Sequence, residues 1–310
     1  MTQVGPGVIR RSYADSSGGQ IHYLESGNGP PVLFLHMTAD AASQWEDVLP
    51  RMARRGHRAI AFDIPGHGNS FRPPAEPDGP AYAAWVMEAL SSLGIARATL
   101  VGHHFGALVG AWATALQPDR VDRFCAYGWP GHDAELRAKR REMPGRVFDR
   151  AGDMVRDTWV RRWDMSGMLL PPDEPSRFTE ALAIRTMIAK LQAGKTWNWA
   201  YHCIGLTDPI ALAKRIRCPV LLFAGPRDHN YQESMDASAT SRMRVSWRWT
   251  GSASMPPTRT RKALPGSSMI SSARHLCEGR SAPGAGLDFC LFQLGQGDKS
   301  RPSQGFDPIV

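Results

Sequence analysis

Residues 100–107 read Leu100-Val101-Gly102-His103-His104-Phe105-Gly106-Ala107 and join an apolar run to an amphipathic segment. The run 98–101 has the composition of a buried strand, and the apolar residues after it recur at helical spacing. Gly102 and Gly106 flank the junction, where glycines let a strand and a helix approach closely. The pattern predicts a sharp strand-to-helix turn with His104 at its centre.

The same alternation of short apolar runs and amphipathic segments continues on both sides of this turn. We expect strands at 21–24, 32–35, 58–62, 121–126 and 220–224, and helices over 45–52 and 82–93. Continuous apolar strands separated by helices are typical of a mostly parallel sheet covered on both faces. The sequence therefore predicts an α/β fold with a doubly wound sheet, and alternation at 243–249 adds one further candidate strand.

The alternation stops at about residue 130 and resumes after residue 206. The intervening segment reads as helical, is dense in arginine and tryptophan, and is interrupted by Pro171-Pro172. Its place in the chain favours an inserted cap over the carboxyl edge of the sheet, although an ordinary helical layer of the same domain is an alternative. We expect a core at 1–129 and 207–250, a helical cap at 130–206, and an atypical basic tail at 251–310.

The positive charge of the chain is concentrated near its end. Of the net charge of +8, residues 237–310 carry +6, and Ser, Gly and Pro make up 35% of that stretch, a composition that favours disorder. The stretch is either a genuine extension, disordered or bound to an anionic partner, or the out-of-frame product of a frame shift near codons 237–255. The rest of the chain lacks a basic stripe, so we expect no nucleic-acid partner.

Cysteine usage and hydropathy bear on the compartment. The five cysteines form no CxxC pair and are odd in number, which favours free thiols in a reducing environment. No apolar run approaches the length of a membrane span, and the N-terminus carries no signal-like stretch. We expect a cytoplasmic protein that does not associate with membranes.

Several motifs in chain order resemble the capped α/β-hydrolase superfamily. The Gly-x-x-x-Gly turn at 102–106 looks like its nucleophile elbow. Residues 27–36 (GNGPPVLFLH) resemble the strand before its oxyanion loop, and 63–70 (DIPGHGNS) resemble its D-x-P-G-x-G-x-S loop. Residues 118–121 (PDRV) and 218–228 resemble the joint after the elbow and the strand and loop that deliver the triad acid. The resemblance covers about residues 8–236 and implies the fold already predicted.

The resemblance also implies a set of site residues. His104 occupies the nucleophile position, where the family has Ser and some branches have Asp or Cys. Asp228 matches the triad acid, and the oxyanion donors are the N–H groups of Phe105 and of Thr38, next to Met37 in place of the usual glycine. The family's later Gly-His loop has no counterpart at 251–257. The only later histidine, His275, is a weak candidate for the missing base.

Three functions fit this arrangement. The leading one is hydrolysis of an ester, lactone or related carbonyl of an apolar or aromatic small molecule by water that His104 or a displaced histidine activates. A catalytically impaired relative that binds a small ligand is the first alternative, since fold alone does not carry function. A cofactor-free lyase or decarboxylase is the second. We expect no cofactor and no metal, because adjacent His103 and His104 should diverge across the turn; substrate and oligomeric state stay open.

Overall fold

The computed structural model describes residues 7–130, 134–145, 152–160 without 154 and 158, and 180–224, together with residues 228, 230, 234, 244 and 245. The tail predicted at 251–310, with His275, lies outside the described residues, as does much of the predicted cap. The described residues all fall within one compact unit of the chain.

The described strands form one sheet of eight. They are β1 (Arg10–Ser16), β2 (Gly19–Ser26), β3 (Pro31–Leu35), β4 (Arg58–Phe62), β5 (Ala98–His103), β6 (Val121–Tyr127), β7 (Val220–Phe223) and β8 (Arg244–Val245). The order across the sheet is β1-β2-β4-β3-β5-β6-β7-β8. β1 and β2 pair antiparallel as a hairpin, β2 pairs antiparallel with β4, and every pair from β4 to β8 is parallel. The mostly parallel sheet predicted from the sequence is confirmed.

Helices connect these strands. They are α1 (Leu49–Ala53), α2 (Gly79–Ser92), α3 (Phe105–Leu116), α4 (Ala134–Arg141), α5 (Glu180–Ala193), α6 (Trp199–Leu206) and α7 (Pro209–Ala213). The side chain of Asp78 caps α2 by accepting from the N–H of Ala81, and Pro80 occupies the first turn, where its missing N–H costs nothing. Asp208 caps α7 in the same way, with Pro209 as its first residue. Local sequence therefore fixes where these two helices begin.

The central strands are buried on both faces, as their continuous apolar sequences require. In β3, Leu33 and Leu35 pack into the main hydrophobic core, while Val32 and Phe34 are equally buried on the opposite face. There Phe34 contacts Trp45, with ring centroids 5.1 Å apart. Successive residues of a strand point to opposite faces, so this pattern is possible only if both faces of the sheet are covered. The doubly wound architecture follows.

The structure differs from the sequence-based prediction in one helix and one strand, and it describes two further predictions only in part. The helix predicted over 45–52 is a 3-10 turn, Ala42–Trp45, followed by the short α1, with Pro50 in the first turn of α1. β1 was not predicted; it pairs with β2 across a two-residue turn between Ser16 and Gly19. The strand expected at 243–249 is described only as β8, and the division into a cap and a two-part core stays a prediction.

The described residues bear on the predicted free thiols and on the predicted lack of a membrane-spanning segment. Cys203 and Cys218 are free thiols, as expected, and Cys277 and Cys290 lie outside the described residues. Within the described ranges, every helix is too short or too polar to cross a bilayer.

Candidate active site

The turn between β5 and α3 has the geometry of an elbow. His104 adopts φ +47° and ψ −107°, between the last residue of β5 and the first of α3. A Cβ added to Gly102 would lie 2.4 Å from the carbonyl oxygen of Gly106, and one added to Gly106 would lie 2.2 Å from that of Leu35. Such contacts are shorter than real Cβ atoms allow, so both positions require glycine. The close approach of strand and helix turns the His104 side chain toward the carboxyl edge of the sheet.

His104 contacts the predicted acid directly. Its Nε2 lies 3.0 Å from both Oδ1 and Oδ2 of Asp228, and both side chains are largely buried. An ionised carboxylate only accepts hydrogen bonds, so Nε2 carries the hydrogen and Nδ1 has the lone pair when the ring is neutral. The backbone N–H of His104 donates to the carbonyl of Tyr127 at 2.8 Å, which ties the elbow to the neighbouring strand β6.

The surroundings of Asp228 keep it ionised. Burial alone would raise the pKa of this carboxyl group, but the hydrogen bond and charge of His104, the N–H of Asn230 at 2.8 Å and the nearby His103 outweigh it and lower the pKa to about 2. Arg140 of α4 is buried and donates to the side-chain oxygen of Asn230 at 3.2 Å. Burial, with the adjacent Asp228 carboxylate, raises the pKa of the Tyr127 hydroxyl well above its usual value.

Gly128 makes room for the contact between His104 and Asp228. A Cβ at this position would lie 2.5 Å from His104 Nε2 and 2.9 Å from Asp228 Oδ2. Gly128 also has φ +62°, which favours glycine. Both the steric and the backbone requirement make residue 128 part of the site, although the sequence analysis did not single it out.

The two candidate oxyanion donors follow neighbouring parallel strands. Thr38 lies three residues after β3, and Phe105 is the first residue of α3, where an N–H has no acceptor within the helix. Among the hydrogen bonds of the described residues, none uses either N–H group. Met37, in the place of the family's glycine, donates its N–H to Gln44 Oε1 at 3.0 Å, and Ala39 takes the positive φ of +54°. The loop therefore closes without a glycine.

His103 lies beside His104 instead of diverging from it. Their ring centroids are 4.2 Å apart, and the ring of Tyr127 lies 4.4 Å from that of His103. The expected divergence is wrong because strand alternation ends at the elbow, where the positive φ of His104 redirects its side chain. Gln44 Nε2 donates to His103 Nδ1 at 2.8 Å, an orientation fixed by the Met37 N–H at Gln44 Oε1. This interaction makes Nδ1 an acceptor and places the hydrogen of a neutral ring on Nε2.

Sequence reasoning missed Gln44 and Tyr127 as neighbours of the site. Tyr127 ends β6, the strand beside β5, and a search of the carboxyl ends of adjacent parallel strands would have found it. Gln44 comes from the 3-10 turn after β3, and no sequence signal marks it. His275 cannot be placed, since it lies outside the described residues.

The loop at 63–70 follows β4 and contains a buried carboxylate with three hydrogen-bond donors. The carboxylate of Asp63 accepts from His22 Nδ1 at 2.8 Å and from the N–H groups of Ala42 at 2.6 Å and Asn69 at 2.8 Å. Burial by itself raises the pKa of Asp63, but these contacts and the charge of His36 lower it overall. The buried carboxylate therefore joins three separate chain segments.

Two further histidines are packing residues close to the elbow. His36 Nε2 accepts from the N–H of Ile64 at 2.9 Å while Nδ1 donates to the carbonyl of Met37 at 2.7 Å, and burial lowers its pKa. The ring of His67 packs against those of His36 and Phe105, and burial lowers the pKa of His67 to about 3. Both rings are neutral at ordinary pH.

A family model for the alpha/beta hydrolase fold matches residues 30–158. An epoxide hydrolase from Caballeronia sordidicola is 37% identical over 131 residues, 41% of this chain and 38% of the relative. A haloalkane dehalogenase from Psychrobacter cryohalolentis is 32% identical over 111 residues, 34% of this chain and 37% of the relative. The (E)-2-((N-methylformamido)methylene)succinate hydrolase of Acinetobacter baylyi is 28% identical over 116 residues, 37% and 44% of the two chains.

These alignments are partial, since the matches span less than half the length of the curated relatives. Solved structures match a larger share of the chain than these relatives do. An epoxide hydrolase from an endophytic Streptomyces has a TM-score of 0.61 at 23% identity and covers 77% of this chain and 87% of its own. Epoxide hydrolase A from Mycobacterium thermoresistibile has a TM-score of 0.62 at 20% identity, covering 77% and 90%. With the elbow and sheet order described above, the family-model match and the solved structures show that this chain has the α/β-hydrolase fold.

Proposed function

We propose that this chain is a hydrolase in which His104, oriented by Asp228, activates water for attack on an ester, lactone or related carbonyl. The observation that carries the proposal is the contact of His104 Nε2 with both oxygens of Asp228 at 3.0 Å. A carboxylate bound to one ring nitrogen fixes the tautomer of a histidine and stabilises the imidazolium formed when the other nitrogen takes a proton. The elbow position thus supplies a base, where relatives supply a nucleophile.

His104 and the two N–H donors act at different steps of the proposed reaction. His104 Nδ1 removes a proton from water as the water oxygen bonds to the carbonyl carbon, and the imidazolium then returns the proton to the leaving oxygen. The oxyanion of the tetrahedral intermediate accepts hydrogen bonds from the N–H groups of Phe105 and Thr38. Gly106 supports this assignment, because its contact with the carbonyl of Leu35 brings the start of α3 against the end of β3.

An apolar or aromatic substrate suits the side chains around the dyad formed by His104 and Asp228. Beside the dyad, the ring of Tyr127 packs against those of His103 and Phe223. The rings of Tyr127 and Phe223 are stacked, with centroids 5.0 Å apart. Such surfaces bind flat or apolar groups. The names of the relatives also include epoxide and haloalkane substrates, so an aryl epoxide belongs beside the esters as a second candidate substrate.

Turnover of short-chain aryl esters, aryl lactones and an aryl epoxide, with ¹⁸O-labelled water, tests the proposal. Wild type should incorporate ¹⁸O into the product, and His104→Ala and His104→Gln should each lose about 10²-fold or more in kcat, the usual contribution of a general base. His202→Gln, a histidine away from the dyad that pairs with Glu76, is the matched control and should keep full activity.

Two outcomes favour the alternatives instead. Tight binding of an apolar ligand without turnover would identify a ligand-binding relative, and carbon–carbon cleavage without ¹⁸O incorporation would identify a lyase. The cytoplasmic location, the absence of nucleic-acid and membrane partners, and the roles of the site residues stay predictions.

A further inference from the structure

We infer that His103, His104 and Asp228 form a binding site for one divalent first-row transition ion, with Zn²⁺ as the occupant to test. One potential ligand atom from each residue lies within 4.8 Å of the others. Two imidazoles and one carboxylate are a donor set that such ions take in proteins. The cluster arises only because the two adjacent rings lie side by side at the elbow.

The spacing of the donor atoms suits an ion between them. Zinc binds imidazole nitrogen and carboxylate oxygen at about 2.1 Å, so two ligands at right angles lie about 3.0 Å apart and two tetrahedral ligands about 3.4 Å apart. His104 Nε2 lies 3.0 Å from either oxygen of Asp228. The donor atom of His103 lies within 4.8 Å of the other two, so binding would require the side chains to rotate toward the ion.

Burial and charge favour binding by these residues. His103 is 3% exposed, and the side chains of Asp228 and His104 are 5% and 13% exposed. Asp228 supplies a carboxylate oxygen, and each imidazole supplies a ring nitrogen. Nitrogen donors select zinc, cobalt or nickel over magnesium and calcium, which prefer oxygen.

Contacts outside the cluster hold two of the three ligands. Asp228 Oδ1 accepts from the N–H of Asn230, and His103 Nδ1 accepts from Gln44 Nε2. An ion on His103 Nε2 requires hydrogen on Nδ1, so the Gln44 amide must turn over and release the Met37 N–H from its oxygen. A carboxylate at position 44 would accept from both groups at once. Gln44→Glu should therefore strengthen ion binding.

This inference does not depend on the proposed function. The ion replaces the hydrogen on His104 Nε2, so in the loaded protein His104 is a ligand and its Nδ1 carries a hydrogen and is no longer a base. Binding is measured directly, and hydrolysis that persists in the presence of a chelator would leave the His104–Asp228 proposal intact whatever the outcome for the metal.

Calorimetric titration of the chelator-treated full chain with Zn²⁺, and visible absorption with Co²⁺, tests the site. We expect one ion per chain, ligand-field bands of a nitrogen- and oxygen-ligated Co²⁺, and no competition from Mg²⁺ or Ca²⁺. His104→Ala and Asp228→Ala should each weaken binding by about 10²-fold or more, since even outer contacts contribute 10–100-fold. Gln44→Glu should strengthen it by about 10-fold.

Gln192→Glu, a half-buried glutamine elsewhere, and His202→Gln are the matched controls and should leave the affinity unchanged. The absence of one-to-one binding would overturn the inference. Binding that survives both His104→Ala and Asp228→Ala, in variants whose unfolding transitions show that they fold, would overturn it as well. Because Gln44→Glu is expected to gain affinity, a failure of the ligand variants to fold does not remove the test.

Discussion

His104 Nε2 lies 3.0 Å from each carboxylate oxygen of Asp228, although 124 positions separate the two residues in the chain. β5 and β7 deliver them to the same edge of the sheet, with β6 between these strands. In the proposed reaction, this contact brings an acid and a base together in two side chains. It accounts for how a base can act at the elbow when the later Gly-His loop is missing from the sequence.

Asp228→Asn should abolish most of the proposed hydrolysis. The amide oxygen would accept from the N–H of Asn230, so the amide nitrogen would face His104 and donate to Nε2. The hydrogen of the ring would then move to Nδ1 and remove the base. We expect kcat for an aryl ester to fall by about 10³-fold or more with little change in KM. Equal kcat values in the two proteins would contradict the assignment of Asp228.

Gly128→Ala should cost more stability than its backbone conformation alone explains. Gly94 has a similar φ of +70° with nothing within 4 Å of an added Cβ, so Gly94→Ala measures the conformational cost, about 1–2 kcal/mol. Gly128→Ala adds the clash with His104 and should lower the free energy of unfolding by a further 1–3 kcal/mol, roughly. Denaturant unfolding of both variants gives the difference. Equal losses would show that the space beside His104 is not needed.

Asp63→Asn should destabilise the fold even though it preserves shape. The amide nitrogen cannot accept a hydrogen bond, so it leaves at least one of the N–H groups of Ala42 and Asn69, or the His22 donor, unpaired and buried. We expect a loss of about 2–3 kcal/mol in the free energy of unfolding. Asp122→Asn, which affects the exposed pair with Arg97, is the control and should cost under about 1 kcal/mol.

His67→Phe should reduce the acid sensitivity of the protein. The folded-state pKa of His67 is about 3, below the ordinary value of 6.5, so below pH 6.5 the unfolded chain binds a proton that the folded chain does not. Stability is therefore lost as the pH falls from 6.5 toward 3. Between pH 7 and pH 5 the wild type should lose about 2 kcal/mol more than His67→Phe in denaturant unfolding.

His202 provides a control for this measurement, because its pKa is shifted in the opposite direction from that of His67. Burial lowers the pKa of His202, but its contacts with the Met143 carbonyl and Glu76 raise it overall. Its contribution is fully present below the unfolded pKa and is lost as the pH rises through the folded pKa. His202→Gln should therefore lose, relative to wild type, more stability at pH 5 than at pH 7. Parallel pH profiles for wild type and His67→Phe would contradict the role of His67.

Much of the strand and helix pattern was predictable, because apolar periodicity reports burial directly. β3, β4 and β6 lie where continuous apolar runs predicted buried strands, and α3 begins directly after the predicted turn. β1 was missed because its partner β2 and a two-residue turn, rather than its own apolar content, hold it in place. The helix expected at 45–52 divides because Pro50, in the first turn of α1, lacks an N–H that could extend the preceding turn.

By itself, the sequence determined the sheet, the elbow at Gly102–Gly106 and the place of Asp228 after β7, since these depend on local residue types and on the order of elements along the chain. Only the tertiary structure decided that His103 and His104 both lie near Asp228 and that Gln44 orients one ring. It also decided that Gly128 leaves space for the contact. These relationships join residues far apart in the chain, and they depend on strand order and on one positive φ at His104, which reverses the direction that strand alternation alone would predict.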